Sequence, residues 1–208
     1  MLLLSSFHVA APETSWKLVK EVDGISIYER KPPGSTISAL QIKSTIKGHS
    51  LASFVALFQD LNSYDRWVYS CEKAVLLEKN LETEMLYYIR SDFPWPFDDR
   101  DFVIKNMVWQ DKKTFAFHSK SSAHNNHLPA KPDAVRITNF SAEWIITPLE
   151  NGTYQLLYTF HSDPGGHLPS WLVNSFIDFG PLKTVKAMEA EAKNPKYAKV
   201  KFSFINEL

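Results

Sequence analysis

Tyr158 to Ala192, YTFHSDPGGHLPSWLVNSFIDFGPLKTVKAMEAEA, joins the end of a strand to one long helix through a tight turn. This stretch limits what the rest of the chain can build. Asp163-Pro164-Gly165-Gly166 ends the strand, because proline fixes φ and the two glycines accept positive φ. Pro169 suits a first helical turn, where its missing N–H costs nothing. Leu172, Phe176, Phe179, Leu182, Val185 and Met188 recur at steps of three or four and mark one helical face. Trp171, Val173 and Ile177 lie off that face, so the first half of the helix is apolar nearly all round. Such a helix is buried, or it closes over something apolar. Residues 169–193 span roughly 37 Å at about 1.5 Å per residue, the width of a small domain. Gly180-Pro181 interrupts the run and predicts a kink. Taken alone, the segment reads most simply as a core helix. The chain before it changes that reading.

A chain of 208 residues suits one domain with a good-sized core. With 44% hydrophobic and 22% charged residues it is a globular composition, not a disordered one. Lys+Arg and Asp+Glu balance at 23 each, and the lack of a basic excess argues against a nucleic-acid partner. The 14 Phe, 8 Tyr and 6 Trp predict large flat apolar surfaces inside. Cys71 is the only cysteine, which excludes an internal disulfide and a cysteine-based metal cluster.

Residues 1–15 read as an N-terminal segment ahead of the domain. MLLLSSFHVAA has the apolar run and small residues of a late export signal, but no basic start, and Pro12 follows its best small-residue site. A packed or frayed segment of a cytoplasmic protein is the favoured expectation. Export is the alternative if residues 1–11 belong to a signal. No run of 18 apolar residues predicts a membrane-spanning helix.

From Trp16 the period becomes two. Trp16–Val22 and Ile25–Tyr28 flank Asp23-Gly24, a hairpin signal, and Thr36–Ile46 follows Pro32-Pro33-Gly34 as a long strand. Ser50 then caps an amphipathic helix through Leu51, Phe54, Val55, Leu57 and Phe58, and Ser63–Trp67 predicts a second, short one. Strands are expected at Lys73–Glu78 and Thr83–Arg90, joined by Lys79-Asn80-Leu81. Phe93-Pro94-Trp95-Pro96-Phe97 cannot be strand interior; it is a loop carrying large apolar side chains, which fold back over a core or a ligand. Further strands are expected from Arg100 to Gln110, Thr114 to Ser121, Val135 to Phe140, Ala142 to Thr147 and Tyr154 to His161, with Asn151-Gly152 as a second hairpin turn. The tail, residues 194–208, alternates charge and apolarity and has no obvious partner in sequence.

Hairpin-linked strands with helices grouped at the ends predict an α+β fold. Its curved antiparallel sheet cannot fill its own concave face, and the C-terminal helix is long enough to lie across it.

Four stretches in order make the prediction specific. They are Gly24-Ile25-Ser26-Ile27-Tyr28, Tyr64-Asp65-Arg66-Trp67, Pro94-Trp95-Pro96-Phe97-Asp98-Asp99-Arg100-Asp101-Phe102-Val103, and Asp163-Pro164-Gly165-Gly166-His167-Leu168-Pro169-Ser170-Trp171-Leu172-Val173-Asn174. With them the sequence resembles a START domain, the steroidogenic-acute-regulatory-related lipid-transfer family, and within it the phosphatidylcholine-transfer branch. The resemblance covers residues 16–193. It implies the helix-grip fold, shared with birch-pollen-allergen-like proteins, in which the sheet grips the long helix around an apolar tunnel. It implies one bound lipid, sterol-like or isoprenoid molecule, no cofactor, no metal, a monomer, and transient membrane contact. Tunnel-lining positions would be Trp67, Met85, Tyr87, Ile89, Ile104 and Asn106, with Trp144 from the sheet and Leu172, Phe176 and Phe179 from the helix. The gate would be the loop of Phe93, Trp95 and Phe97 with the helix, bending at Gly165, Gly166 and Gly180.

Departures from the family sharpen the ligand class. Some relatives orient the ligand's polar end with a buried acid and an arginine; Tyr87 and Asn106 stand at those positions here. The arginine that relatives use for a phosphate falls near Tyr64, with Arg66 adjacent. A neutral polar end, hydroxyl or carbonyl, therefore suits the site better than a zwitterion. The competing reading for Tyr87 and Asn106 is a pair of satisfied core polar groups.

Arg100 and Asp101 are expected to hold the loop to the sheet. Asp98, Asp99 and Asp101 lack the spacing and glycine of a calcium loop, and His124-x-x-His127 with nearby His118 lacks a further ligand. No nucleophile elbow, phosphate loop or dinucleotide fingerprint occurs. Two rival functions stay open on the same scaffold. One is a helix-grip enzyme such as a polyketide cyclase, aromatase or hydrolase, for which Tyr87, Tyr88 and His161 are the candidate proton-transfer groups. The other is a ligand-dependent sensor.

Overall fold

Asp23 and Gly24 both take positive φ, 52° and 74°, and close the hairpin between β1 (Lys17–Val22) and β2 (Ile25–Arg30). Asn151 and Gly152 do the same, at 57° and 66°, between β9 (Phe140–Pro148) and β10 (Thr153–Ser162). The computed structural model describes residues 15–35, 37–166 and 168–207, without the side chains of Ser170 and residues 174–178. The N-terminal segment up to residue 14, with its export question, lies outside the described residues.

The described strands form one sheet in the order β1-β2-β3-β10-β9-β7-β6-β5-β4, antiparallel throughout. Its remaining members are β3 (Ala39–Lys47), β4 (Cys71–Leu81), β5 (Glu84–Ser91), β6 (Asp99–Gln110) and β7 (Phe117–Ala123). A short β8 (Ala134–Arg136) pairs parallel to the start of β6, off this path. Among the described residues three α-helices complete the fold: α1 (Leu51–Gln59), α2 (Tyr64–Trp67) and α3 (Ser170–Ala192). The α+β helix-grip architecture is therefore present.

Period-two alternation sorts the side chains. On β5, Met85, Tyr87 and Ile89 face the main core, while Leu86 and Tyr88 join Val103 in a separate outer cluster. Ser50 caps α1 by accepting from the Ser53 N–H at 3.1 Å.

Several boundaries differ from expectation. β4 runs through Lys79-Asn80-Leu81, because irregular pairing with β5 between Leu76 and Leu81 absorbs residues that the sequence assigns to a turn. β7 starts only at Phe117, since Asp111 Oδ1 accepts from the Lys113 and Thr114 amides and holds the turn open. β8 stops at Arg136, and Phe140 belongs to β9. Pro169 is the residue before α3, not its first turn.

The tail has a partner after all. The Glu207 carboxylate accepts from the Leu51 and Ala52 amides at 2.9 and 2.8 Å, placing negative charge at the N-terminus of α1. Phe202, Phe204 and Ile205 pack against the main core. Alternating apolar residues gave no hint of this, because the partner lies some 150 residues away in sequence.

Candidate functional site

Between the concave sheet face and α3 lies a cavity with about 180 Å³ open to the centre of a water molecule. Strand register assembles its wall. Antiparallel pairing sets Tyr87 opposite Ile104 and Ile89 opposite Phe102, then Ser121 opposite both Asn106 and Ala142, and Tyr158 opposite Trp144. The Trp144 and Tyr158 rings stack at 3.6 Å and 12°. Phe58 from α1 and Trp67 from α2 close one side; Phe58 meets the Trp67 and Trp144 rings at 5.3 and 5.2 Å. Val173, Gly180, Pro181 and Thr184 of α3 close the other.

A polar end sits within this apolar wall. Asn106, 3% exposed, directs its amide nitrogen at Ser119 Oγ (2.8 Å), Ser121 Oγ (3.0 Å) and the Lys120 carbonyl (3.3 Å). Tyr64 donates its hydroxyl to the Phe58 carbonyl at 2.7 Å, and the Tyr87 hydroxyl lies beside Tyr64 and Ser121. Burial pushes both tyrosines above the ordinary phenol range, so they are neutral hydrogen-bonding groups near neutral pH.

Another part of the wall is organised by Arg100, 3% exposed. Its guanidinium donates to the carbonyls of Asp98, Pro164 and Gly165 and lies 4.2 Å from the centre of the Phe93 ring. Gly165 and Gly166 adopt φ of 61° and 68°, as the turn needs. Desolvation presses the Arg100 pKa down, since its close partners are carbonyl oxygens and the ring face. Asp101, next in the chain, points the other way and holds Arg136 through both oxygens at 2.7 and 3.0 Å. Arg100 holds the loop through the Asp98 carbonyl and forms part of the cavity wall, whereas Asp101 pairs with Arg136 of β8 and does not touch that loop.

The sequence model of the START domain matches residues 6–196. The chain belongs to the START domain family. It is 32% identical to "Uncharacterized protein PA1579" of Pseudomonas aeruginosa over 86% of this chain and 87% of that one. It is 25% identical to the phosphatidylcholine transfer protein of Mus musculus, over 86% and 84%. Among solved structures, the STAR-related lipid transfer protein of Xanthomonas axonopodis superposes with a TM-score of 0.76 at 27% identity, covering 85% of this chain and 98% of that fragment.

In this START domain, Trp67, Tyr87, Ile89, Ile104, Asn106 and Trp144 all line the cavity. Met85, Leu172 and Phe179 do not. Met85 is buried in the main core, and Leu172 is buried off the cavity wall. Phe179 is 47% exposed, with Lys20 Nζ 5.3 Å from its ring centre. The reason is how closely α3 approaches its neighbours. Gly180 lies against the Tyr69 ring, where a Cβ would come within 3.1 Å, so glycine and Pro181 face the wall and Phe179 turns out. The side chain of Phe176 lies outside the described residues. Of the gate aromatics, Phe93 lines the cavity, Phe97 is half-buried, and Trp95 is 92% exposed.

Sequence reading missed Phe102, Phe140 and Phe160, whose rings meet in pairs at 5.3 and 6.1 Å, and Val173 on the helix. Alternation along β6 from Ile104 would have found Phe102.

Other candidates fall outside. Arg66 faces solvent and pairs with Glu191 at 2.9 Å. Tyr88 belongs to the outer cluster, and His161 is not on the cavity wall. Among the described residues, Glu72, Asp92 and Asp99 bring carboxylates close together. Arg90 already bonds Glu72 at 3.0 Å and Asp99 at 2.7 Å there, so the group carries its own cation.

Proposed function

We propose that this START domain binds and carries one hydrophobic small molecule, a lipid, sterol-like or isoprenoid compound, without chemically altering it. The observation that carries the reading is the composition of the wall. Among the described lining residues Arg100 is the only charged one, and the buried polar end is built from Tyr87, Asn106 and Ser121. Each buried CH₂ contributes roughly 0.8 kcal/mol, so a sixteen-carbon chain gains on the order of 12 kcal/mol before its loss of freedom. An enzyme would need an acid or base in the cavity. Of Tyr87, Tyr88 and His161 only Tyr87 reaches it, and burial holds its proton more firmly.

The names of its relatives supply lipid transfer as the class, and the outward Arg66 weighs against recognition of a phosphate there. The exposed Trp95 on the gate loop and Trp171, 65% exposed at the start of α3, suit brief contact of a monomer with a membrane surface. Native mass spectrometry of the purified protein, with extraction of what co-purifies, is the test. A stoichiometric apolar molecule supports the reading. An empty protein that turns over an ester or polyketide-like substrate overturns it.

A further inference from the structure

The orientation of one amide narrows the ligand class. This step rests on the carrier reading. Asn106 is buried, and its Nδ2 lies within hydrogen-bonding distance of two serine hydroxyls and the Lys120 carbonyl. A hydroxyl accepts either end of an amide, but a backbone carbonyl only accepts. Lys120 therefore decides which end of Asn106 faces β7: it is the nitrogen. The amide oxygen is turned away from β7, and Asn106 is a wall residue, so the oxygen is what it offers to the cavity.

We infer that the buried end of the cavity selects ligands carrying a hydrogen-bond donor, foremost a free hydroxyl. A ligand hydroxyl donates to Asn106 Oδ1 and accepts from Ser121 or Tyr87, both of which line the same end. An ether, ketone or ester accepts from those hydroxyls but leaves Oδ1 facing apolar carbon, and an unsatisfied buried acceptor is costly. A phosphate or carboxylate has the same defect and finds no cation beside Asn106, because Arg100, the one charged residue among the described lining residues, is engaged with the Asp98, Pro164 and Gly165 carbonyls. Discrimination of this type is strong, since a site built to satisfy a polar group rejects the analogue that leaves it unpaired.

The experiment uses the full chain and ligands matched in skeleton. Cholesterol, its 3-methyl ether and cholest-4-en-3-one form one set; hexadecanol, hexadecyl methyl ether and methyl palmitate form another. Each set is offered as an equimolar mixture in neutral vesicles, and retained ligand is counted by native mass spectrometry. The alcohol should be retained about tenfold or more over its partners in at least one set. Asn106→Leu should bring the members of that set to parity while the apolar skeleton is still retained, and Asn106→Ala, read the same way, is the second variant should the first not fold. Equal retention of alcohol, ether and carbonyl in wild type, or a preference for the ether or carbonyl, overturns the donor rule and leaves the carrier reading standing. Retention of no member of either set counts against both.

Discussion

Arg100 Nε donates to the Pro164 carbonyl at 3.0 Å, so a residue of β6 holds the turn that leads into α3. The same guanidinium holds the Gly165 and Asp98 carbonyls and lies over Phe93. One side chain thus ties the loop of Phe93 to the turn that leads into α3. Arg100→Ala leaves buried carbonyls without donors and should cost about 3 kcal/mol. Hydrogen exchange across residues 163–173 should quicken, and Arg100→Lys should restore only part of the protection, because lysine lacks the planar fork. Unchanged exchange in that segment would mean other contacts hold the turn.

Val173 lines the cavity and Phe179 does not, although both are apolar residues of α3. Val173→Asp should abolish ligand retention, since an unpaired carboxylate would face an apolar wall. Phe179→Ala should retain ligand as wild type does. The pair is read by native mass spectrometry, and a loss in Phe179→Ala equal to that in Val173→Asp would reverse the assignment of the helix face.

Arg66 is bonded to Glu191 on the outside of the domain. Arg66→Ala should leave ligand retention within about twofold of wild type and stability little changed, as for other exposed ion pairs. A loss of binding in this variant, measured with phosphatidylcholine vesicles, would restore a phosphate-recognising role.

Asp60 joins the first helical region to the tail. Its carboxylate accepts from Lys196 Nζ at 2.7 Å and the Tyr197 hydroxyl at 2.8 Å. Burial opposes ionisation, but those hydrogen bonds outweigh it and hold the pKa below the usual 3.8. A lowered folded-state value means the stabilisation is present above the unfolded pKa and is lost as pH falls through the folded one. Thermal melts of wild type and Asp60→Asn should therefore differ near pH 7 and converge as the pH falls through the lowered folded-state pKa. A constant difference across that range would assign the effect to packing.

Much of this fold is legible residue by residue. Asp23-Gly24 and Asn151-Gly152 announce hairpins because few residues adopt positive φ in succession. Ser50 announces α1 because a hydroxyl at that place satisfies an otherwise orphaned amide. The inner positions of β5 and β6 (Tyr87, Ile89, Ile104, Asn106) were implied by the family resemblance, and the structure brings them to one cavity wall, while Met85, in step with Tyr87 and Ile89, stays in the core.

The helix face was not legible in the same way. Periodicity marks Phe179 as apolar, yet which side of a helix meets the sheet depends on how near the backbones come, and Gly180 against Tyr69 settles that. Nor could any local pattern reveal that Glu207 caps α1, or that Lys120 orients the Asn106 amide through its carbonyl. Local chemistry along the chain determined the turns, the caps and the alternation of the strands, because those depend on a residue and its near neighbours. Tertiary structure alone decided which helix side chains join the cavity wall, how Arg100 ties the turn before α3, and the polarity of the buried end, because those depend on distances between groups that the chain keeps far apart.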